Sequence, residues 1–321
     1  MKIEKITNNK TIEMKDYFGF NLRGKDFFPI WIIFYLIFIV PYVILAIKIQ
    51  NIPPAEVPSL MIFICLFLLI LVGFFISFYL TRIVIENITY KNTPITFNGN
   101  FSQYVWLVLK GIFLSIITLF VYVAWFVRDI YRFFVNNSSY KNEPFVFQGK
   151  GRDLFLIIIV TALIPIIVLT IVMARIFILT PGEASTSYVI INQILTWIIC
   201  IPFIYSLYKW MINIDFNNYK IIWETELVPS CKKIALEILL SIITIGIYYP
   251  LAMIKLYAYF AERTIAQSGD VKRRFGFEPD NINDFLFIWS QMLLTIITIG
   301  IYAPWAISKI GTRILKRTYI E

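Results

Sequence analysis

Thr295-Ile-Ile-Thr-Ile-Gly-Ile-Tyr-Ala-Pro-Trp305 decides how the rest of the chain reads. Nearly the same stretch stands at Ser241-Ile-Ile-Thr-Ile-Gly-Ile-Tyr-Tyr-Pro250, and a looser copy runs from Ser115 to Trp125. Each copy closes an apolar run and is followed by basic residues, which marks a place where the chain turns inside a membrane. Gly246 and Gly300 permit backbone angles that other residues resist. Pro250 and Pro304 remove a donor and disfavour helix at the residue before them. Thr244 and Thr298 can return a hydrogen bond to a freed carbonyl, and Tyr248, Tyr302 and Trp305 suit the headgroup belt. In the first copy Phe120 replaces the glycine and Ala124 the proline, so a smoother bend is expected there.

Composition supports a membrane chain. Of 321 residues, 59% are hydrophobic and only 15% charged, and mean hydropathy is +0.75. A water-soluble domain is nearer half apolar and a quarter charged. The net charge of +9 lies in the loops between apolar runs. That distribution reads as positive-inside orientation, not as a nucleic-acid face. There is no histidine, and Cys65, Cys200 and Cys231 are isolated, so neither a metal site nor a disulfide framework is expected.

Four runs are long enough to span a bilayer: Phe27–Ile47, Leu60–Leu80, Leu154–Leu179 and Val189–Tyr208. Their connectors, residues 50–58 and 180–187, lack Lys and Arg and read as external loops. The three runs that carry the turn motif reach charge soon after it, at Arg128 and Asp129, at Lys255, and at Lys309 and Arg313. Seven plain spans would place basic loops on both sides of the membrane. Keeping them on one face requires each short limb to return as a hairpin, either re-entrant or shallowly spanning.

A second marker precedes each unit: Phe18-Gly-Phe20, Thr96-Phe97, Phe145-Val-Phe147, Ile222-Trp223 and Phe275-Gly-Phe277. Taking Phe20, Phe97, Phe147, Trp223 and Phe277 as equivalent, the gaps are 77, 50, 76 and 54 residues. The expectation is an all-α polytopic membrane protein of five repeated helical hairpins, with short extended aromatic segments on the cytoplasmic side. The units are a cytoplasmic segment 1–26, full-length hairpins 27–93 and 144–219, and short hairpins 94–143, 220–273 and 274–321, the last with a basic tail. Both termini are placed on the cytoplasmic side of the membrane.

The run Phe-x-Phe-x-Gly, then an apolar helix, then Ile-Thr-Ile-Gly-Ile-Tyr-x-Pro-Trp and basic residues resembles the YjgN-like family of bacterial inner-membrane proteins. The likeness is tightest over residues 275–317 and looser over 94–152 and 222–263. The resemblance implies repeated membrane hairpins and supplies no activity, cofactor or catalytic residue.

Polar groups at membrane depth are functional candidates. Lys110 and Glu237 hold neighbouring positions in equivalent hairpins, and Gln291 matches Glu237. They could pair or line a cavity; the plainer reading, favoured here, is that they lie near the cytoplasmic headgroups with their side chains reaching outward. No phosphate loop, nucleophile elbow or metalloprotease motif appears. The chain is therefore expected to be a non-catalytic membrane scaffold or interaction protein without a cofactor. Its expected partners are membrane lipids, anionic ones at the cytoplasmic face among them. The alternative is a transporter or channel with a cavity between broken hairpins.

Overall fold

The structure is a computed structural model that describes residues 15–53, 58–179 and 186–321. The expected cytoplasmic segment 1–26 therefore falls largely outside the described residues, as do parts of both expected external loops. The all-α expectation is wrong. Eleven strands form one antiparallel sheet in the order β3-β2-β1-β11-β10-β9-β8-β7-β6-β5-β4. They are β1 (Asp16–Phe20), β2 (Ile88–Tyr90), β3 (Thr93–Pro94), β4 (Thr96–Phe97), β5 (Ser138–Tyr140), β6 (Glu143–Phe147), β7 (Ile214–Phe216), β8 (Tyr219–Trp223), β9 (Thr264–Ser268), β10 (Val271–Phe277) and β11 (Thr318–Ile320).

The two ends of that order, β3 and β4, are consecutive pieces of one segment, interrupted only by Ile95. The Ile95 N–H donates to the Ile88 carbonyl at 2.9 Å. Residues 93–97 thus pair with β2 through their first half and with β5 through their second, and the sheet bends round into a ring. Closing a sheet on itself removes the unpaired edges that invite aggregation.

Helices leave this ring in pairs. The first pair is a continuous helix, α1 (Gly24–Phe34) and α2 (Val40–Gln50) around a π-helical turn, followed by α3 (Leu60–Glu86). The second is α4 (Phe101–Ile117) and α5 (Val123–Asn136). The third is α6 (Gly151–Ile158) and α7 (Ile164–Leu179), again around a π-helical turn, with α8 (Thr186–Met211). The fourth is α9 (Leu227–Ile243) and α10 (Tyr249–Glu262), and the fifth α11 (Asn281–Ile297) and α12 (Ala303–Leu315). Both π-helical turns lie just before a proline, Pro41 and Pro165, whose missing N–H breaks the α ladder.

Register shows where the helices attach. Each pair is bracketed by two partnered strands that meet at its base: Phe20↔Ile88, Phe97↔Ser138, Phe147↔Ile214, Trp223↔Thr264 and Phe277↔Thr318. All five helical pairs therefore hang from one edge of the ring. At the opposite edge lie the two-residue turns at 91–92, 141–142, 217–218 and 269–270. Lys91 and Asn92, and Lys141 and Asn142, all have positive φ, as the type I′ turns favoured in tight hairpins require. No such turn bridges β1 and β11, which pair directly at Asp16↔Ile320 and Tyr17↔Tyr319.

The exit strands gave no sequence signal because they are three to five residues long. Each also pairs across a whole helical hairpin, so neither length nor local alternation could reveal it.

The core comprises five clusters at the helix bases, and each contains one of the five marker aromatics: Phe20, Phe97, Phe147, Trp223 and Phe277. Seven residues past each marker, on the first turn of the outgoing helix, stands another buried side chain: Phe27, Tyr104, Leu154, Ser230 or Asp284. Neighbouring pairs pack side by side, α3 on α4, α5 on α6, α8 on α9, α10 on α11 and α12 on α1, so the helices also close a circuit.

Candidate functional site

The short pairs share a backbone and differ in the polar groups it carries. Each first helix ends in the same cap: Thr118, Thr244 or Thr298, then two residues of positive φ. In the third copy Ile299 N–H donates to Ile296 O at 2.9 Å and Gly300 N–H to Thr295 O at 2.7 Å, the two bonds of a Schellman motif. The threonine hydroxyl donates to Leu294 O at 2.8 Å while accepting from Tyr302 N–H at 3.0 Å. Thr244 and Thr118 repeat both contacts. The smoother bend expected at the first copy is not found: Leu119 and Phe120 take φ of 49° and 69°, close to the 52° and 83° of Ile245 and Gly246. Hydrogen bonding from the threonine holds the turn without a glycine.

The left-handed position that a cap usually gives to glycine is held by Leu119, Ile245 or Ile299. For non-glycine residues that conformation costs about 1–2 kcal/mol. These side chains are also the most exposed apolar groups of their tips, at 83%, 93% and 77%.

Pro250 and Pro304 are buried in the first turn of the returning helices, where a missing N–H costs nothing. Trp305 does not stand free in a headgroup belt. It lies against Gly24 of α1, where an added Cβ would approach its ring to 2.4 Å. Trp125 occupies the same relation to Gly151 of α6. Tip carbonyls are satisfied by the next pair round the ring: Trp289 donates to Ile247 O, Trp31 to Gly300 O and Tyr35 to Ile299 O, at 2.7–3.0 Å.

Glu237 is 1% exposed. It accepts from Lys233 at 2.5 Å and from the Tyr248 hydroxyl at 2.9 Å, and Lys255 donates to that hydroxyl at 2.8 Å. Gln291 sits at the same helix position. Its carbonyl accepts from the Tyr302 hydroxyl at 2.9 Å, and Lys309 donates to Tyr302 at 2.8 Å. The tyrosines thus turn back along their own hairpins, and a chain of carbonyl or carboxylate, hydroxyl and ammonium lies between the limbs of each.

Lys110 stands apart from both. Its neighbour Gly111 is the residue equivalent to Glu237, and the Phe126 ring fills the space, 2.0 Å from where a Cβ would stand. No ion pair joins Lys110 to Glu237 among the described residues, and Glu237 and Gln291 each bond within their own hairpin. Lys110 lines an open cleft of about 400 Å³ between α4 and α5.

One cluster escaped the sequence reading. Asp284, 3% exposed, accepts from Arg313 at 2.5 Å and from Arg317 at 2.8 and 2.9 Å, and it also receives the Asp280 N–H at 2.9 Å. In the fourth pair the same place is held by Ser230, bonded to Thr225 and, at 2.9 Å, to Tyr259. The available signal was the spacing: Asp284 and Arg313 match Ser230 and Tyr259 once the two motifs are aligned. Among the described residues no three His, Cys, Asp or Glu side chains group as metal ligands.

Four helices, Gly24–Gln50, Leu60–Glu86, Gly151–Ile176 and Ile190–Met211, are long and apolar enough to cross a bilayer, which makes this a membrane protein. The chain belongs to DUF898, a family described as bacterial proteins of unknown function, whose model matches residues 9–275; this is the YjgN family. No curated protein and no solved structure matches the chain.

Proposed function

We propose that this chain is a non-catalytic scaffold of the bacterial inner membrane, with its strand ring and both termini at the cytoplasmic face. The ring serves as a rigid platform offered to protein partners, and the basic residues around it favour an anionic leaflet, at roughly 1 kcal/mol each near the surface. The five helical pairs are read as an internal repeat, two of them spanning and three re-entrant.

The tips of the short hairpins carry this reading. A leucine or isoleucine is held in a strained backbone conformation at a position glycine would fill more easily, with its side chain turned outward. Such an arrangement is favourable only where the surroundings are apolar. From Glu237 to Ile245 is eight residues, about 12 Å of helix. That is close to half of the ~30 Å hydrocarbon thickness. Tips at mid-bilayer would then set the layer of Glu237, Gln291, Lys255 and Lys309 at the headgroup boundary.

Cysteine accessibility in intact cells tests this, with Cys65, Cys200 and Cys231 replaced. Single cysteines at Ile245 and Ile299 should resist a membrane-impermeant reagent added from either side, and Asn142→Cys should react only in inverted vesicles. Labelling of Asn142→Cys in whole cells would reverse the orientation, and labelling of the tips from outside would make the short pairs spanning.

A further inference from the structure

We propose that the cleft between α4 and α5 binds the phosphate of an anionic phospholipid, a proposal that rests on the membrane placement above. Its polar lining includes Gln103, Lys110, Tyr122, Asp129 and Arg132, with Trp106 at the rim. Lys110 and Arg132 have no hydrogen-bond or ion-pair partner among the described residues. The one carboxylate is already compensated, since Asp129 lies 2.7 Å from Arg128 and accepts from the Tyr122 hydroxyl at 3.4 Å. Two cations facing one open cleft therefore lack a counterion.

Comparison with the other short hairpins shows how the polar groups of this one differ. In the fourth and fifth pairs the position of Asp129 is held by a lysine, Lys255 or Lys309, engaged by Tyr248 or Tyr302, which is held in turn by Glu237 or Gln291. In the second pair Gly111 and Asp129 replace that arrangement, so the positive charge moves to Lys110 and Arg132 and faces outward.

The surroundings suit a lipid better than a free anion. Trp106, Leu109, Phe113 and Ile116 of the same helix are 42–70% exposed and form an apolar stripe on both sides of Lys110. An acyl chain can lie along that stripe toward the tip. Lys110 is nine residues from Leu119, about 13 Å along the helix. With the tip at mid-bilayer, the ammonium reaches the level where phosphates lie.

The test uses the full chain in nanodiscs of mixed phosphatidylglycerol and phosphatidylcholine, with native mass spectrometry reading the lipids retained after release. The wild type should retain phosphatidylglycerol preferentially. Lys110→Met or Arg132→Gln should each lower that preference about five-fold, and the pair of changes about thirty-fold. Both residues are exposed, so an unchanged melting temperature will show that the variants fold. Equal retention in wild type and double variant overturns the proposal, as does displacement of the lipid by millimolar inorganic phosphate, which would make the cleft a site for a soluble anion. Release of the wild type from native membranes by alkaline carbonate would instead defeat the membrane placement itself.

Discussion

The fourth and fifth helical pairs have first helices of 17 residues each and returning helices of 14 and 13, and each buries one carboxylate, yet at different levels. In the fourth it is Glu237, on the third turn of α9 and bonded to one lysine and one tyrosine. In the fifth it is Asp284, on the first turn of α11, gripped by two arginines beside the sheet. Each level holds a neutral counterpart in the other pair: Gln291 where Glu237 stands, Ser230 where Asp284 stands. The backbone thus tolerates either an ion or a dipole at each level, provided the group finds its hydrogen bonds. What it does not tolerate is a buried polar atom left alone.

This comparison can be broken most severely at Asp284. Asp284→Ala would remove the buried carboxylate that Arg313 and Arg317 grip; with those side chains still 26% and 28% exposed, the loss should be about 3 kcal/mol, the low end for a broken buried pair. Thermal unfolding in detergent should show the largest loss of any single change here. A loss no greater than that of an exposed residue would mean that water replaces the carboxylate for both arginines. Next in size, Glu237→Leu should cost about 2 kcal/mol by orphaning the Tyr248 hydroxyl and Lys233, whereas Glu237→Gln, which copies the fifth pair, should cost less than about 1 kcal/mol. Equal costs would show that the charge, and not the acceptor, is what α9 requires. In the second pair, Gly111→Ala drives a methyl into Phe126 and should destabilise by about 1–3 kcal/mol. Gly111→Ala combined with Phe126→Ala, the residue type found at Ala252 and Ala306, should recover part of that steric loss.

The smallest effect belongs to the seam between β1 and β11. Glu278 accepts from Lys15 at 2.8 Å and from the Tyr17 hydroxyl at 3.0 Å, and these bonds, that of Lys15 first, hold its carboxyl below the usual 4.5. The same bond raises the Lys15 ammonium above its ordinary value. A carboxyl with a depressed folded-state value contributes above its unfolded value and loses that contribution as pH falls through the folded one. Lysine, raised, loses its share only as pH climbs beyond the lysine range. The wild type should therefore become less stable as pH drops below about 4.5, and Glu278→Gln should flatten part of that slope in a melting series. An unchanged slope would place the acid sensitivity elsewhere.

How much of this was legible follows from distance along the chain. The long apolar runs declare themselves within ~20 residues. The turn motif was legible because its parts are neighbours: Thr244 caps the helix that ends beside it and starts the next one four residues on. Tyr248 and Tyr302 were visible as motif residues, but their partners lie eleven residues back, across a turn whose backbone had first to be known. The entry strands were legible as extended aromatic segments, but their pairing was not, because Phe20 meets Ile88 only after both helices of its pair have formed. The packing partner of Trp305 was hidden for a related reason: Gly24, which lies beneath its ring, is at the other end of the chain.

The direct pairing of β1 with β11 has a consequence for how the protein is made. Some three hundred residues separate Asp16 from Ile320, and at about 5–20 residues per second a ribosome needs roughly 15–60 s to deliver the second after the first. Once Ile88–Tyr90 has emerged and paired with it, β1 still offers one bare edge for the rest of that interval. The first hairpin must wait in the bilayer with an unfinished sheet above it, guarded by whatever occupies that edge until the last strand emerges and the circle shuts.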